Sequence, residues 1–527
     1  MSFIDLNDSN HCHEYYCDLL LVGAGVAGLV IADRLRGAGF TVDILESGGP
    51  AYEEASQNLN DAEMAGKYHS GTTEGRYRMF GGCTSRWGAQ LLTMIPSDFK
   101  LKSHIPGSGW PLTSSELSPY LHASERLLGV NHSSYCSDFA NHLPHQVPHL
   151  SEPGLEYHFS KRAPLNMRNM ARTLGLRCKK DLDTRIFLHA TATNIILSES
   201  GSSVNYLQVR SSNGRHYRFH GRQVVLTAGS IEISRLLLAS RSVHRSGIGN
   251  SSDQLGRWFH DHLSVKSAVL CPRKRHQFLS SISPWFFGST RHNLRFSTTS
   301  AWQALHKVPN ISSQIVFEYD NSSFFAWLSH QIHSYKFGYP AQSLRSAPPI
   351  SSAELYDIFY LIWMRTVSRR LCCPKSANLV LRVDSEQCPT PDNRITLSSN
   401  LDKMGIPKAV IHWHWGESER RAFAAYKQLF NSQWQAWNVG EITWLVDFEN
   451  GCEWETHAID SYHIMGGTRM SNNPNSGVVD SDLTVHGIAN LSIASLSVFP
   501  SGGSANPTLT LMMLALRLAD RLKIDLR

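Results

Sequence analysis

A short apolar segment that leads directly into a glycine-rich turn restricts the fold of this chain more than any other feature. Residues 17–22 are mostly apolar and predict a buried parallel strand. The turn at residues 23–28 follows at once, and the apolar spacing beyond it predicts a helix that ends near residue 37. A second strand, residues 39–45, leads to Glu46. This order predicts a strand–helix–strand unit in an α/β fold.

The turn has the spacing Gly-x-Gly-x-x-Gly, and each glycine has a physical role. Gly23 makes the tight turn, Gly25 lets the backbone approach a pyrophosphate, and Gly28 lets the helix pack against the strand. Glu46 is placed to bind ribose hydroxyls. We expect a dinucleotide here, although the motif does not separate FAD from NAD; the alternative is a tight turn without a ligand. The expected contacts are Gly23, Gly25, Val26, Ala27, Gly28, Glu46 and Ser47.

A second glycine-rich loop, residues 75–88, contains small hydroxyl residues and a tryptophan. Ordinary NAD-binding domains have no such element at this place, and it would suit a long cofactor that needs a second clamp. The alternative is an ordinary surface turn. The residues that we expect to contact the cofactor here are Gly81, Gly82, Ser85, Trp87 and Gly88.

Two polar residues near the carboxy terminus can converge on one point. His463 precedes a Gly-Gly-Thr turn, and Asn506 and Pro507 stand at the start of an apolar segment that predicts a buried helix. A short strand, residues 491–494, lies between them. Taken separately, Asn506 could be a helix cap and His463 a loop histidine held by its neighbours.

These three segments together resemble the glucose–methanol–choline (GMC) flavoprotein oxidoreductases. Residues 23–46, 81–88 and 463–506 match that family in order and spacing, whereas the middle of the chain matches only in patches such as 109–111 and 228–231. The resemblance implies FAD, a Rossmann-type FAD-binding domain, and a second domain whose antiparallel sheet forms the wall on the substrate side.

The resemblance also implies further cofactor contacts. The backbone at Ala192 meets the adenine, Ala228 closes over the cofactor, and Ser495 stands where the family often has an acid or a glycine. Arg86 occupies the position at which some members attach FAD covalently through a histidine, so we expect non-covalent FAD. The helix start at Pro507 and Thr508, together with Asn506, completes the expected contacts.

The chemistry that follows is the oxidation of a CH–OH group to a carbonyl. Flavin N5 accepts the hydride, and the neutral imidazole of His463 takes the hydroxyl proton. Asn506 hydrogen-bonds the same oxygen, and the helix start at Thr508 stabilises the negative charge of the reduced flavin. Sugars, glycosides and other alcohols are the expected substrates, and oxygen, a quinone or another acceptor takes the electrons. The alternatives are a lyase or decarboxylase on the same fold and a non-catalytic flavin-binding protein.

The predicted fold is α/β (α+β overall), with two domains that are discontinuous in sequence. Residues 1–95, 185–260 and 455–527 are assigned to the FAD-binding domain, and residues 96–184 and 261–454 to the substrate-binding domain.

Composition excludes several other classes of protein. The 527 residues are 42% apolar with a net charge of +6, which describes a globular chain and gives no basic run for nucleic acid. The polar first 17 residues show no secretory signal, and no apolar run is long enough for a membrane span. Ten scattered cysteines without a Cys-x-x-Cys motif favour reduced thiols and a cytoplasmic location. We expect no metal site, because His142, His145 and His149 lie in a proline-broken stretch.

Three aromatic clusters have two interpretations. Residues 285–287, 324–327 and 359–363 could be core, or they could form an apolar surface near a membrane or a lipid-bearing substrate. Contact with a membrane surface therefore stays open at this stage.

Overall fold

The computed structural model describes residues 3–8, 12–143, 146–319, 323–337, 347–449 and 453–527. Within these ranges, three sheets organise the molecule. His145 lies outside the described residues, so its placement relative to His142 and His149 is not discussed.

The first sheet has eight strands and contains the predicted strand–helix–strand unit. Its central strand, Glu14–Val22, pairs in parallel with Val42–Leu45 on one side and with His216–Leu226 on the other. Five strands complete it: Ile4–Asp5, Thr184–Leu188, Thr191–Leu197, Val204–Arg210 and Leu491–Ile493. The Rossmann-type fold that the sequence predicts is confirmed, although Val204–Arg210 pairs antiparallel with both of its neighbours in this sheet.

The helix that follows the glycine-rich turn is buried on nearly all of its length. It spans Val26–Leu35, and its apolar residues are excluded from solvent because it lies between the first sheet and the last helix of the chain, Thr508–Asp525. A helix that is apolar all round is stable only when it is enclosed in this way. The two ends of the chain therefore form one core.

The second sheet has nine strands and is antiparallel throughout. Its strands are Gln90–Leu91, Leu155–Arg162, His262–Pro272, Trp285–Phe287, Thr290–Thr298, Ile311–Glu318, Asn378–Glu386, Gly440–Trp444 and Ile459–Asp460. Along Thr290–Thr298 apolar Leu294 and Phe296 alternate with polar Asn293 and Arg295, so the two faces of the sheet differ in polarity. The apolar face packs on the long helix Glu417–Trp437 through residues such as Phe430.

A third, small sheet and further helices complete the fold. The three strands are Ala62–Gly66, Arg394–Leu401 and Pro407–Trp413. The remaining α-helices are Glu54–Gln57, Ser114–Leu117, Leu121–Leu128, Leu165–Arg168, Leu174–Lys180, Ser230–Ala239, Arg275–Ile282, Ser300–His306, Phe324–Phe337 and Ser352–Thr366.

The division of the chain into two domains stays a prediction. Three strands that fall in the ranges assigned to the FAD-binding domain lie in other sheets. Gln90–Leu91 and Ile459–Asp460 belong to the second sheet, and Ala62–Gly66 belongs to the third. At these three strands the chain leaves the first sheet and pairs with strands of the second or third sheet.

The three aromatic clusters have different surroundings. Trp285 and Phe325 are buried, whereas Phe359, Ile362 and Trp363 on the helix Ser352–Thr366 are exposed. Among the described residues, no helix is both long enough and apolar enough to cross a membrane.

Candidate active site

Residues from the first and second sheets line one cavity of about 630 Å³. One part of its lining comes from the predicted dinucleotide turn and the second glycine-rich loop, and another from the polar face of the second sheet. His463 and Asn506 both line this same cavity. The structure therefore brings together segments from both ends and the middle of the chain.

The glycine-rich turn has the geometry of a phosphate cradle. Gly23 has a φ of +117°, which favours glycine, and it lines the cavity. A Cβ atom built at Gly25 has no atom within 4 Å, so the backbone there borders open space. At Gly28, which does not line the cavity, a Cβ atom would lie 2.2 Å from the Gly23 carbonyl oxygen, so this glycine serves helix packing. Val26 and Ala27 line the cavity beside the turn.

Glu46 is buried at the end of the second strand and lines the cavity. Its carboxylate accepts hydrogen bonds from the backbone N–H groups of Ala24 at 3.1 Å and Gly48 at 3.0 Å. Burial raises the pKa of Glu46 to about 7, and the backbone N–H groups oppose this rise. The carboxylate has lone pairs left over for hydroxyl donors. Ser47, also at the cavity, accepts a hydrogen bond from Arg78 at 3.1 Å.

The second glycine-rich loop contributes only some of its predicted contacts. Gly82, Trp87 and Gly88 line the cavity, whereas Gly81 and Ser85 do not. Gly81 adopts a φ of +91° against Ala171, and the Ser85 hydroxyl donates to the Gly82 carbonyl at 2.9 Å. These two residues shape the loop.

Of the other predicted cofactor contacts, most line the cavity and one does not. Ala192, Ala228 and Thr508 line the cavity. Pro507 does not line it and instead precedes the helix Thr508–Asp525 as its cap residue. Ser495 lines the cavity but is also committed to its own turn, because its side chain accepts from the backbone of Ser497 at 3.3 Å.

A cluster of arginines beside the cofactor turn was not predicted from the sequence. Arg76 and Arg78 both pair with Glu232, at 2.5 and 2.6 Å, and all three residues line the cavity. Although burial raises the pKa of Glu232, Arg78 and Arg76 lower it to about 2. The two arginines come from the second glycine-rich loop, and Glu232 comes from a distant helix, so no local signal joins them.

Asn506 presents a buried, unsatisfied amide oxygen at the cavity. Its Oδ1 has no hydrogen-bond partner among the described residues, and no side chain caps the helix that begins at Thr508. The local alternative of a helix cap is therefore wrong for this residue. A buried acceptor without a donor is costly unless a ligand supplies one.

A chain of hydrogen bonds sets the tautomer of His463. The buried His262 ring lies with Nε2 at 2.8 Å from the Gly503 carbonyl oxygen and Nδ1 at 2.8 Å from Nδ1 of His463. A carbonyl only accepts, so Nε2 of His262 carries the proton and Nδ1 of His262 is an acceptor. His463 then donates through its Nδ1–H, which leaves its Nε2 unprotonated.

The backbone of His463 is held by a buried carboxylate. Its N–H donates to both oxygens of Asp261 at 3.0 Å, and His69 Nε2 lies 3.2 Å from the same carboxylate. Although burial raises the pKa of Asp261, the contact with His69 lowers it below its usual range. Asp261 therefore stays ionised and fixes the loop that carries the imidazole.

Burial and the nearby His262 lower the pKa of His463 to about 4. The neutral imidazole is thus the resting form over the whole range above about pH 5. This is the protonation state that a proton acceptor requires.

The polar face of the second sheet forms a cationic wall of the cavity, which we call the arginine wall. Its members on the strands are Gln90, Arg162, His262, Arg295, Gln314, Arg382 and Asp384. The Asp384 carboxylate accepts a hydrogen bond from Arg295 at 2.9 Å and another from Arg382 at 3.3 Å. Although burial raises the pKa of this carboxyl, the two arginines lower it below its usual range. The alternation of polar residues along these strands was the available signal, but it does not reveal which residues of distant strands are neighbours.

Among the residues that the structure describes, two three-residue groups lie close enough to hold a metal ion. The first group is His69, Asp261 and Asp460, whose side chains already form hydrogen bonds within the protein. The Asp460 carboxylate, for example, accepts from the backbone N–H groups of Ser70 at 2.9 Å and Gly71 at 2.8 Å. The second group is His122, Glu125 and His132, where Glu125 also pairs with Lys161 at 2.6 Å. Neither group contains the histidines weighed from the sequence.

Comparisons with known proteins agree with this arrangement. A family model described as GMC oxidoreductase matches residues 389–515. The fructose dehydrogenase large subunit of Gluconobacter japonicus is 22% identical, over 97% of this chain and 98% of its own length. Paromamine 6'-oxidase of Streptomyces fradiae is 23% identical, over 97% of this chain and 92% of its own.

Solved structures share the fold. Formate oxidase of Aspergillus oryzae RIB40 aligns with a TM-score of 0.57 at 17% identity, over 97% of this chain and 99% of that one. Pyridoxine 4-oxidase of Mesorbium loti aligns with a TM-score of 0.54 at 17% identity, over 96% of this chain and 99% of that one.

Proposed function

Because this chain is a GMC oxidoreductase with FAD as its cofactor, we propose that it oxidises a CH–OH group to a carbonyl with His463 as the base. One observation carries the assignment of the base. His463, with its tautomer set by His262, and the unpartnered oxygen of Asn506 both line the cavity that the cofactor turn lines. Relatives named as fructose and 2-methyl-1,2-propanediol dehydrogenases support an alcohol or sugar as the substrate.

The residues of the cavity fit FAD. The open backbone at Gly25 leaves room for a pyrophosphate, and Glu46 has acceptor capacity for ribose hydroxyls. The helix start at Thr508 offers backbone N–H groups to an electron-rich ring edge. When bound, the flavin accepts the hydride from the carbinol carbon.

His463 accepts the hydroxyl proton at Nε2. Its Nδ1–H points to His262, so the imidazole cannot turn its other nitrogen to the substrate without breaking that hydrogen bond. Asn506 donates from its amide nitrogen to the alcohol oxygen and offers its oxygen to a neighbouring hydroxyl. The two side chains thus hold the carbinol in a single orientation.

FAD is bound without a covalent link in this proposal. The Arg86 guanidinium lies over the rings of Tyr52 and Tyr77, at 4.5 and 5.0 Å from their centroids, and no histidine stands at its position. Acid precipitation should release the flavin into the supernatant. Flavin retained in the protein pellet would contradict a non-covalent cofactor.

The test of the function is anaerobic flavin reduction. The purified protein should show flavin absorbance near about 380 and 450 nm that bleaches with one class of sugar or alcohol. His463→Ala should keep the flavin and slow the bleaching by about 10²- to 10⁴-fold, because a general base contributes that much. Asn506→Ala should also keep the flavin and slow bleaching.

The outcomes separate the alternatives. Flavin that is bound but bleached by no alcohol would favour a lyase, a decarboxylase or a flavin-binding protein over an oxidoreductase. Equal bleaching rates in wild type and His463→Ala would remove His463 from the role of base. Re-oxidation of the bleached protein with oxygen or with a soluble quinone then identifies the class of electron acceptor.

We also propose contact with an anionic membrane surface through the helix Ser352–Thr366. One face of this helix exposes between 49% and 65% of the surface of Leu355, Tyr356, Phe359, Ile362 and Trp363. Exposed cations lie close to this face at Arg365, Arg369 and Lys375. An apolar helix face with neighbouring cations is typical of attachment to the headgroup region.

Flotation with lipid vesicles tests the membrane contact. The protein should float with vesicles that contain phosphatidylserine and less with pure phosphatidylcholine, and the double variant Phe359→Ser/Ile362→Ser should remain at the bottom. Equal recovery of wild type and variant would exclude this face. A cytoplasmic location is a further proposal, supported by the free thiols of the nine described cysteines.

A further inference from the structure

We propose that the alcohol oxidised by this protein carries an oxyanion, such as a carboxylate or a phosphate ester, which the arginine wall binds. The proposal deepens the function stated above and rests on it. The observations that carry it are the charge of the wall, the unsatisfied donors on it, and its position beside His463.

The charge on the wall is not balanced by the protein. Among the cavity-lining residues on the described strands of the second sheet there are three arginines, Arg162, Arg295 and Arg382, and one carboxylate, Asp384. His463 is neutral in its resting form, so it adds no charge to this part of the cavity. The wall thus carries two more positive than negative charges, and buried charge without a partner is costly.

A second group of cations lies beside Arg162 on the same face of the sheet. Arg162 pairs with Arg291 in the sheet register, so their side chains point to the same face. Burial lowers the pKa of Arg291 to about 9 and of Arg168 to about 10, and Arg162 adds repulsion to both. Within the part of the chain that the structure describes, neither arginine has a carboxylate partner: Arg291 donates to Asn293 and Arg168 to the Ala163 carbonyl.

The unsatisfied groups on the wall are mainly donors. On the wall, Nε of Arg162 and Nε of Arg295 are buried without a hydrogen-bond partner among the described residues, and so is Nδ2 of Asn293, which lies outside the cavity lining on the same strand as Arg295. Arg295 is only 2% exposed, so bulk solvent does not satisfy it. A neutral alcohol offers as many donors as acceptors, whereas an oxyanion offers only acceptors and matches a row of N–H groups.

The wall is also at the right place to orient a substrate. His262, a member of the wall, has its Nδ1 at 2.8 Å from Nδ1 of His463, so the wall adjoins the base. Asp384 links Arg295 to Arg382, which fixes the two guanidinium groups relative to each other. An oxyanion held there would keep the rest of the molecule against the base. Arg76 and Arg78 are separate, because Glu232 pairs with both beside the cofactor turn.

The test uses two matched sets of compounds that differ only in the charged group. One set is glucose, glucuronate and glucose 6-phosphate, and the other is glycerol, glycerate and glycerol 3-phosphate. Binding to the flavin-loaded protein is measured by calorimetry, and anaerobic flavin bleaching is measured in parallel. In at least one set, an anionic member should bind about 10- to 100-fold more tightly than the neutral one, as expected for charge-assisted hydrogen bonds.

Two variants connect that preference to the wall. Arg382→Met and Arg162→Met should each reduce the anionic-to-neutral preference about 10-fold or more, and Arg382→Lys should restore part of it. The partly exposed side chain of Arg382 makes a folding defect less severe than at Arg295. Arg218→Met is the control, because that arginine is exposed and pairs with Glu14 on the first sheet.

The possible results have distinct meanings. Neutral compounds that bind as well as anionic ones in both sets, or no binding of any anionic compound, would overturn the oxyanion proposal and leave alcohol oxidation intact if neutral alcohols bleach the flavin. Tight anion binding that depends on Arg382, without bleaching by any compound, would support the oxyanion site and contradict the proposed oxidation. The carboxylate and phosphate members identify which oxyanion is preferred.

Discussion

Two parts of the cavity lining, the cofactor turn and the arginine wall, offer different chemical groups to a ligand. At the cofactor turn, the backbone itself borders the cavity, because the glycines there have no side chains. These glycines stand together in one short continuous segment of sequence. At the arginine wall, the groups offered are long side chains from strands that are far apart in the chain. A backbone cradle is set by local geometry, whereas a side-chain wall is set by which strands become neighbours. The first can be recognised in one sequence and the second cannot.

The strongest test of the cofactor turn is Gly25→Val. The side chain would enter space that now has no atom within 4 Å, and the φ of −81° at Gly25 accepts a side chain without strain. We expect the apoprotein to fold normally and to lose FAD binding completely. The check is flavin content after reconstitution, with circular dichroism as the control for folding. A variant that keeps its flavin would show that this turn is not the phosphate cradle.

Substitution of His262 tests whether the wall side of the cavity controls the tautomer of the base. His262→Leu removes the acceptor for His463 Nδ1–H, so the imidazole loses its fixed tautomer. A hydrogen bond of this kind is worth about 1–3 kcal/mol, so flavin reduction should slow by about 5- to 150-fold. His262→Asn can offer an amide oxygen near the same point and should recover part of the rate.

The flavin content separates this role from a folding defect. Both His262 variants should bind FAD as the wild type does, because His262 lies on the wall and not at the turn. Equal rates in the leucine and asparagine variants would contradict a role in setting the tautomer.

The pH dependence of stability should differ between the two regions. Burial lowers the pKa of His463, His260 and His158 to about 4 and of His292 to about 3, so the unfolded chain binds more protons between pH 6.5 and about 4. Stability from these four histidines is therefore lost as pH falls through that window. Glu46 has the opposite sign, because its raised pKa of about 7 makes the folded state bind the extra proton between pH 4.5 and 7.

The melting temperature of the apoprotein, measured from pH 4 to 8, checks this balance. The four histidines should make the wild type melt at lower temperature as pH falls from 6.5 to 4. Glu46→Gln removes the opposing group and should steepen that acid loss. A melting temperature that rises on acidification would contradict the neutral state of the buried histidines.

The smallest expected effect is at Ser85. Its hydroxyl donates to the Gly82 carbonyl and does not line the cavity, so Ser85→Ala should change FAD affinity less than about 3-fold. Thermal stability should fall slightly, because one local hydrogen bond is worth about 0.5–1.5 kcal/mol. A large loss of flavin would place Ser85 among the cofactor contacts after all.

The sequence predicted those parts of the molecule that depend on local order. The strand–helix–strand unit, the buried last helix and the residues Gly23, Gly25 and Glu46 lie where the motif places them. Gly28 and Pro507 are structural rather than cavity residues, a distinction that depends on how the turn and the helix are oriented.

The remaining features depend on contacts across long sequence separations. Arg295 faces Asp384 only because Thr290–Thr298, Ile311–Glu318 and Asn378–Glu386 are adjacent strands. The contact of His262 with His463 could not be predicted from the sequence, since it joins the strand His262–Pro272 to a distant loop. Alternating polar residues indicate that a strand has a polar face, but the pairing of strands decides which charged side chains become neighbours.

The packing of the helix Val26–Leu35 on Thr508–Asp525 has a consequence for synthesis. The glycine-rich turn is synthesised long before the helix Thr508–Asp525, which packs on the helix that follows the turn. The strand Leu491–Ile493, which pairs beside His216–Leu226, also comes late. The nucleotide pocket is therefore complete only after translation has passed these segments, and chains that stop earlier should contain no flavin. Bound flavin would therefore show that translation has passed the helix Thr508–Asp525.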